Sequence, residues 1–83
     1  MIKIPADLSR HIPIGREIAA EIAAAAGRYE CTLTLEGNGI VLNLKSMIGL
    51  LSQSIPKNGQ MMLVADGADE NEAIEALKAI IFK

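Results

Sequence analysis

The sequence predicts an α+β fold, in which a four-stranded antiparallel sheet carries three helices on one face. Three segments show the alternation of strands with one buried face, and two repeat apolar residues at the period of a helix. A further strand and a short helix are predicted between the hairpin and the last helix. Their order along the chain is strand, helix, strand, strand, short helix, strand, helix. Three helices with one apolar stripe each can cover the apolar face of such a sheet. We expect the 83 residues to form a single domain, 1–83.

An irregular segment separates the first strand from the first helix. Met1–Ile4 is a short β-prone segment with alternating isoleucines, and residues 5–14 are predicted to be irregular. The clearest helix is Arg16–Ala26, and Gly27 is predicted to end it in a left-handed conformation. The apolar stripe of this helix consists of Ile18, Ala19, Ile22, Ala23 and Ala26.

A β-hairpin is predicted after the first helix. Cys31–Glu36 alternates strictly, with its apolar residues on the face that should be buried. The turn Gly37-Asn38-Gly39 consists of residues that accept positive φ angles. Alternation resumes over residues 40–44, which predicts the second strand of the hairpin.

A short helix, a fourth strand and a last helix complete the predicted fold. Ser46 is predicted to be the N-cap of the helix Met47–Ser52, and Gln60–Ala65 is predicted to be a strand. Asp69 is predicted to cap the last helix, because Glu72 three residues later approximates a capping box. The apolar stripe of the last helix consists of Ala73, Ile74, Leu77, Ile80 and Ile81. The residues predicted to be largely buried are Ile4, Ile18, Ile22, Leu33, Leu35, Leu42, Leu63, Leu77 and Ile80.

Composition and charge exclude several classes of function. Eight basic and ten acidic residues give a net charge of −2, and the basic residues form no stripe that would indicate nucleic-acid binding. The one cysteine, Cys31, cannot form an internal disulfide and cannot build a zinc site with one histidine. We expect it to be a core residue in a cytoplasmic protein without metal or cofactor. The apolar runs are far shorter than the roughly 20 residues that span a bilayer, so no membrane association is predicted.

Three separated motifs carry a resemblance to a known family. They are Asn43–Gly49, the turn Glu36–Gly39 and the segment Ala65–Ala73. They resemble the regulatory-serine motif, the hairpin turn and the approach to the last helix of HPr, the small phosphocarrier of the bacterial phosphotransferase system. The match needs no gap from about Tyr29 to Leu77. The resemblance implies the HPr fold, an open-faced sandwich of four antiparallel strands and three helices.

The N-terminal part departs from the family pattern. HPr proteins carry a His-Ala-Arg-Pro motif at the start of the first helix, and its histidine passes phosphate from Enzyme I to sugar permease components. Extending the ungapped match places Gly15-Arg16-Glu17-Ile18 at this motif. Glycine has no nucleophile, so phosphate cannot be relayed at this position. Arg16 is then either a remnant of anion binding or a solvated residue of the first turn.

A second alignment places the only histidine, His11, at the family histidine. It starts from Ile2–Asp7, which resembles the first strand and the acidic residue after it, and leaves four extra residues before the helix stripe. A phosphohistidine at this position needs donors for the phosphate oxygens, which the start of the following helix can supply. The alternative is an exposed loop histidine without chemistry, which we prefer because the neighbouring Arg-Pro context is missing.

Ser46 is the main candidate for modification. The resemblance implies phosphorylation of this serine by a bifunctional HPr kinase/phosphorylase. A phosphate there adds about −1.5 to −2 charges at a helix N-terminus, where free N–H groups and the helix dipole favour it. The alternative is a plain N-cap, which contributes roughly 1 kcal/mol to stability.

The short helix after Ser46 is the candidate partner-binding surface. It carries Met47, Ile48, Leu50 and Leu51, and six residues are too few to bury them all. At least one should therefore be exposed. In the family, part of this helix is an apolar patch that docks onto partners, and Met47 and Leu51 occupy the matching positions. We expect Met47, Ile48 and Leu51, with Arg16, to contact partners.

The resemblance implies a regulatory protein without catalytic turnover. HPr variants of the catabolite-repression type lack the active histidine and keep the serine. By this resemblance, the serine-phosphorylated form would bind a LacI-type catabolite control protein and strengthen its DNA binding without touching DNA itself. One alternative is a genuine phosphocarrier that uses His11 with Enzyme I and sugar permease components. Another is an interaction module that has retained only the fold and is not phosphorylated.

Overall fold

The computed structural model describes residues 1–9, 15–37, 39–52 and 59–82, which form four strands and three helices. The order βαββαβα is the predicted one, and the α+β prediction is confirmed. The elements are β1 (Ile2–Asp7), α1 (Arg16–Ala26), β2 (Thr32–Gly37), β3 (Ile40–Asn43), α2 (Met47–Ser52), β4 (Gln60–Asp66) and α3 (Glu70–Ile81).

The sheet has the strand order β1-β4-β2-β3, and every neighbouring pair is antiparallel. The strand β4 is central, because Leu63 pairs with Ile4 of β1 on one side and with Leu35 of β2 on the other. The hairpin strands β2 and β3 pair through Leu35 and Leu42. The strands β1 and β3 form the two edges of the sheet.

One face of the sheet forms the core. Alternate residues of all four strands are buried there, and all three helices pack their apolar stripes around this core. No polar or charged side chain is buried among the described residues. On the opposite face Lys3, Val41 and Met62 are exposed, whereas Val64 is buried because Lys3 and Thr34 flank it on the neighbouring strands. The strands therefore have one covered face and one open face.

Three of the nine residues predicted to be buried lie at the margin of the core. Ile4, Ile18 and Ile80 are half-buried, whereas the other six are fully buried. Ile4 lies on an edge strand with only one neighbour, and Ile18 lies in the first turn of α1. Ile80 borders a surface groove between α1 and α3.

The first strand is longer than predicted. The sequence predicts an irregular segment from Pro5 onwards, but in the structure β1 continues to Asp7. Proline is tolerated in an edge strand, and the buried alternation continues through Ala6 to Leu8, whose N–H donates to the Gly59 carbonyl at 2.8 Å.

The conformation predicted for Gly27 at the end of α1 is wrong. Its φ is −65°, in the right-handed region, and its N–H donates to the Ala23 carbonyl as in a continuing helix.

The predicted capping box at the start of α3 is wrong. The Asp69 carboxylate makes no cap hydrogen bond and instead accepts the backbone N–H groups of Glu30 and Cys31 at 2.9 and 3.0 Å. A neighbouring residue supplies the local contact: the Glu70 carboxylate accepts the Gly67 N–H at 3.1 Å. Asp69 thus ties the start of α3 to the segment between α1 and β2.

Candidate functional site

Ser46 lies between β3 and α2 and caps α2 as predicted. Its side-chain oxygen accepts the Gly49 N–H at 3.1 Å, and its carbonyl accepts the Leu50 N–H at 3.1 Å. Its own N–H donates to the Asn43 carbonyl at 3.0 Å. The residue is half-buried. Since the oxygen acts as an acceptor in the cap, the hydroxyl proton is not needed to hold the helix.

The residue before Ser46 makes two further contacts. The Lys45 N–H donates to the Asn43 side-chain oxygen at 3.0 Å, which fixes the turn that leads into α2. The Lys45 ammonium donates to the backbone carbonyl of Tyr29 at 2.7 Å. This second contact joins the start of α2 to the segment just after α1. It was not predicted, because a side-chain contact to a backbone carbonyl sixteen residues away leaves no local pattern.

The helix α2 has one buried side and one exposed side. Leu50 is only 1% exposed, whereas Ile48 is 80% exposed and Leu51 is 44% exposed. The prediction that at least one apolar residue of this helix is exposed is therefore confirmed. Met47, one of the proposed contact residues, is half-buried and packs against the core. The exposed apolar surface consists mainly of Ile48 and Leu51, three residues apart on one side of the helix.

The start of α1 presents no group that could accept phosphate. Gly15 is the N-cap residue, is exposed, and has extended backbone angles of φ −85° and ψ 170°. A Cβ atom at this position would meet nothing within 4 Å. The next residue, Arg16, is exposed in the first turn of α1, which packs against α2. His11, the other candidate phosphate acceptor, lies outside the described residues.

Cys31 is a buried core residue, as predicted. Burial raises the pKa of its thiol, and the hydrogen bond and negative charge of Asp69 raise this pKa further. Such a thiol stays protonated and is a poor nucleophile.

Among the described residues no group of histidine, cysteine and carboxylate side chains could hold a metal ion. No helix in the described part of the chain is long and apolar enough to cross a membrane.

Comparison with known proteins points to one family. A family model described as the PTS HPr component phosphorylation site matches residues 15–82. HPr-C-His from Thermoanaerobacter tengcongensis is similar with a TM-score of 0.86 and 26% identity, over 99% of this chain and 92% of that chain. The phosphocarrier protein HPr from Bacillus anthracis has a TM-score of 0.82 and 26% identity, over 96% and 95% of the two chains.

A protein of catabolite repression is also similar in structure. The Crh protein of Bacillus subtilis has a TM-score of 0.76 and 28% identity, over 99% of this chain and 87% of that chain. Its crystal structure is a dimer with a swapped domain. The similar structures thus include both phosphocarriers and a catabolite-repression protein.

Proposed function

This chain belongs to the HPr family of the phosphotransferase system, and from that premise we propose that it is a cytoplasmic regulatory protein of carbon catabolite control. Members of this family carry phosphoryl groups and are not enzymes. We propose that the switch is phosphorylation of Ser46 and that phosphate is not relayed through histidine. The supporting observation is that the Ser46 oxygen caps α2 beside the exposed Ile48 and Leu51, while Gly15 presents no phosphate acceptor.

The geometry at Ser46 is compatible with a phosphate. The oxygen that would carry it already accepts the Gly49 N–H, and a phosphate adds three strong acceptor oxygens at this position. A negative charge at a helix N-terminus is stabilising by about 0.3–1 kcal/mol. Modification would therefore leave the fold in place and change mainly the charge beside Ile48 and Leu51. That is the behaviour of a regulatory switch that acts through a partner surface.

The partners follow from the family resemblance. HPr kinase/phosphorylase would modify Ser46, and a catabolite control protein would recognise the modified form. The similarity to Crh, a catabolite-repression protein, supports this assignment. We propose that the partner contacts Ile48 and Leu51, with Met47 at the margin of the apolar surface and Arg16 as a neighbouring cation.

One observation favours a second candidate function, a phosphocarrier that uses His11. The strand β1 runs from Ile2 to Asp7, which are the residues that the second alignment equates with the first family strand and its acidic neighbour. Such a carrier would exchange phosphate with Enzyme I and sugar permease components. The two functions differ in the residue that carries the phosphate and in its chemical stability.

The first experiment tests Ser46. Incubation with HPr kinase/phosphorylase and a nucleotide donor should add one acid-stable phosphate, which Ser46→Ala abolishes and the control Ser9→Ala does not. The modified protein should then bind a catabolite control protein more tightly than the unmodified one does. Modification elsewhere would contradict the assignment to Ser46. Modification of Ser46 with no gain in binding would contradict its role as a regulatory switch.

The second experiment tests the histidine relay. Enzyme I and phosphoenolpyruvate should leave this chain unphosphorylated, because Gly15 offers no nucleophile. The variant Gly15→His is the positive control, since space for a side chain is open there. An acid-labile phosphate on the unaltered chain that disappears in His11→Ala would establish the carrier function instead.

A further inference from the structure

We propose that Lys45 is the residue that responds to phosphate on Ser46: its ammonium leaves the Tyr29 carbonyl and pairs with the phosphate. The inference rests on the proposed phosphorylation of Ser46 and assigns a residue that transmits it. In the unmodified protein the Lys45 ammonium lies 2.7 Å from the Tyr29 carbonyl oxygen. The two groups in contact belong to different parts of the fold, the start of α2 and the segment just after α1.

The Lys45 ammonium has a neutral partner in the unmodified protein. The ion pairs within the described part of the chain join the amino terminus to Asp66 and Glu70, and Lys78 to Glu75. Lys45 is in none of them. The Tyr29 carbonyl carries no net charge, whereas a phosphate carries about −1.5 to −2 charges and attracts an ammonium by direct Coulomb interaction. A phosphate within reach would therefore compete well with the Tyr29 carbonyl.

The backbone around Lys45 is fixed, whereas its side chain is exposed and held by one hydrogen bond to Tyr29. Asn43 holds the backbone of Lys45 and Ser46, since its side chain accepts the Lys45 N–H and its carbonyl accepts the Ser46 N–H. Lys45 is exposed, so a change of side-chain rotamer displaces no core residue. Because Lys45 directly precedes Ser46, the ammonium can reach a phosphate on Ser46 by rotation of its own side chain.

The other charged and titratable groups around this ammonium are few. Cys31 is close enough for Lys45 to influence its pKa, and Asp69 accepts the backbone N–H groups of Glu30 and Cys31. No ion pair among the described residues joins the Asp69 carboxylate to Lys45. A phosphate on the adjacent Ser46 would therefore be the nearest full negative charge offered to this ammonium.

Movement of Lys45 would extend the effect of phosphorylation from α2 to the segment that contains Tyr29. The Tyr29 carbonyl would lose its charged donor, and the segment from Tyr29 to Cys31 would keep its core contacts and its hydrogen bonds to Asp69 but lose its tie to the start of α2. A partner that binds beside Ser46 would meet a paired phosphate and ammonium in place of an isolated phosphate. Lys45 would thus set the charge that the partner recognises.

The experiment installs phosphoserine at position 46 during translation, so that it does not depend on any kinase. The second pKa of the phosphate, ordinarily about 6, is then measured by ³¹P NMR titration. We expect Lys45→Met to raise this pKa by about 0.5, a threefold change in proton affinity. Lys45→Arg should keep the low value, and Lys3→Met, which removes a lysine from the opposite edge of the sheet, should leave it unchanged.

A second measurement follows the Tyr29 carbonyl. Its ¹³C chemical shift should change on phosphorylation in the protein with Lys45 and should not change in Lys45→Met. An equal phosphate pKa with Lys45 and with Met at position 45, or a Tyr29 carbonyl that does not respond, would overturn the inference. Neither result would bear on the proposed function itself, which fails only if a kinase does not modify Ser46 or if the modified form gains no partner.

Discussion

Asp69 shows how a single residue can satisfy a sequence pattern and serve another purpose. Its position before an amphipathic helix, three residues ahead of Glu72, predicts a capping box. In the structure its carboxylate binds the N–H groups of Glu30 and Cys31, 39 and 38 residues away. The carboxylate oxygens can accept N–H groups of the helix that follows or N–H groups of a distant segment. The choice between them depends on which N–H groups the tertiary fold brings near, and the local sequence does not contain that information.

The contacts of Asp69 and Glu70 predict acid sensitivity. The Glu30 N–H is the main cause of the lowered pKa of Asp69, and the Gly67 N–H followed by the amino terminus lowers the pKa of Glu70. A carboxyl group with a lowered pKa binds fewer protons in the folded state than in the unfolded one. Its contribution to the free energy of unfolding is therefore present above its ordinary pKa, which is 3.8 for Asp69 and 4.5 for Glu70. This contribution is lost as the pH falls through the lower pKa of the folded state.

We expect the free energy of unfolding to decrease below about pH 4.5, and to decrease less steeply in Asp69→Asn. The measurement is urea denaturation at a series of pH values between 2 and 7, with Glu75→Gln as a control whose carboxylate is exposed. An unchanged slope in Asp69→Asn would show that the Asp69 contacts do not contribute to acid sensitivity.

Gly67 lies beside the same junction and has no room for a side chain. Its φ is +154°, and a Cβ atom would lie 2.6 Å from the Cβ of Cys31. We expect Gly67→Ala to lower the free energy of unfolding by about 1–3 kcal/mol, because it adds backbone strain and a clash with a buried residue. Gly15→Ala is the matched control, since its position is open, and should change stability by less than about 0.5 kcal/mol. Equal effects in thermal unfolding of the two variants would contradict this explanation.

At the scale of one element, the bounds of α2 were predictable and its orientation was not. Ser46 before the helix and the following apolar residues predict Met47–Ser52, which is what the structure has. Four of these six residues are apolar, so the helix shows no polar stripe that would identify the outer side. Contact with β3 and α1 decides that Leu50 is buried and Ile48 is exposed.

The two sides of α2 should separate stability from partner binding. Leu50→Ala should lower the free energy of unfolding by about 2–5 kcal/mol, because it leaves a cavity in the core. Ile48→Ala should change it by less than about 0.5 kcal/mol and should weaken binding of the Ser46-phosphorylated protein to a catabolite control protein. Urea denaturation and titration calorimetry on the same samples measure both effects. A strong loss of stability in Ile48→Ala, or undiminished binding, would exclude it as a contact residue.

At the scale of the whole molecule, the order of the elements and the apolar stripes of strands and helices predicted the architecture, although residues 61–65 of β4 are apolar throughout. Every strand buries one alternating set of residues, so a single layer of helices is enough. The sequence was misleading where position in the sheet overrides local preference. Pro5 is accommodated because β1 is an edge strand, and Ile4 is only half-buried for the same reason. Which strands are edges depends on the pairing order, and local patterns do not encode that order.

The pairing order predicts how protection from hydrogen exchange is distributed. The strand β4 has neighbours on both sides, whereas β1 and β3 have one each. We expect the amides of Leu63 and Ala65 to exchange most slowly, near the limit set by global unfolding. The amides of α2 should exchange fastest among the helices, because it is the shortest. Hydrogen exchange measured by NMR would contradict this order if the amides of α2 exchanged more slowly than those of β4.

The position of β4 in the sheet also bears on the synthesis of the protein. Ile2 of β1 pairs with Ala65, which is translated 63 residues later, and Leu33 pairs with the same residue from the other side. The hairpin of β2 and β3 can close as soon as it emerges, but β1 has no partner in the sheet until β4 has been translated. Contacts this distant in sequence are slow to form. The nascent chain therefore exposes an unpaired strand until β4 emerges, and β4 completes the sheet by entering between two strands made earlier.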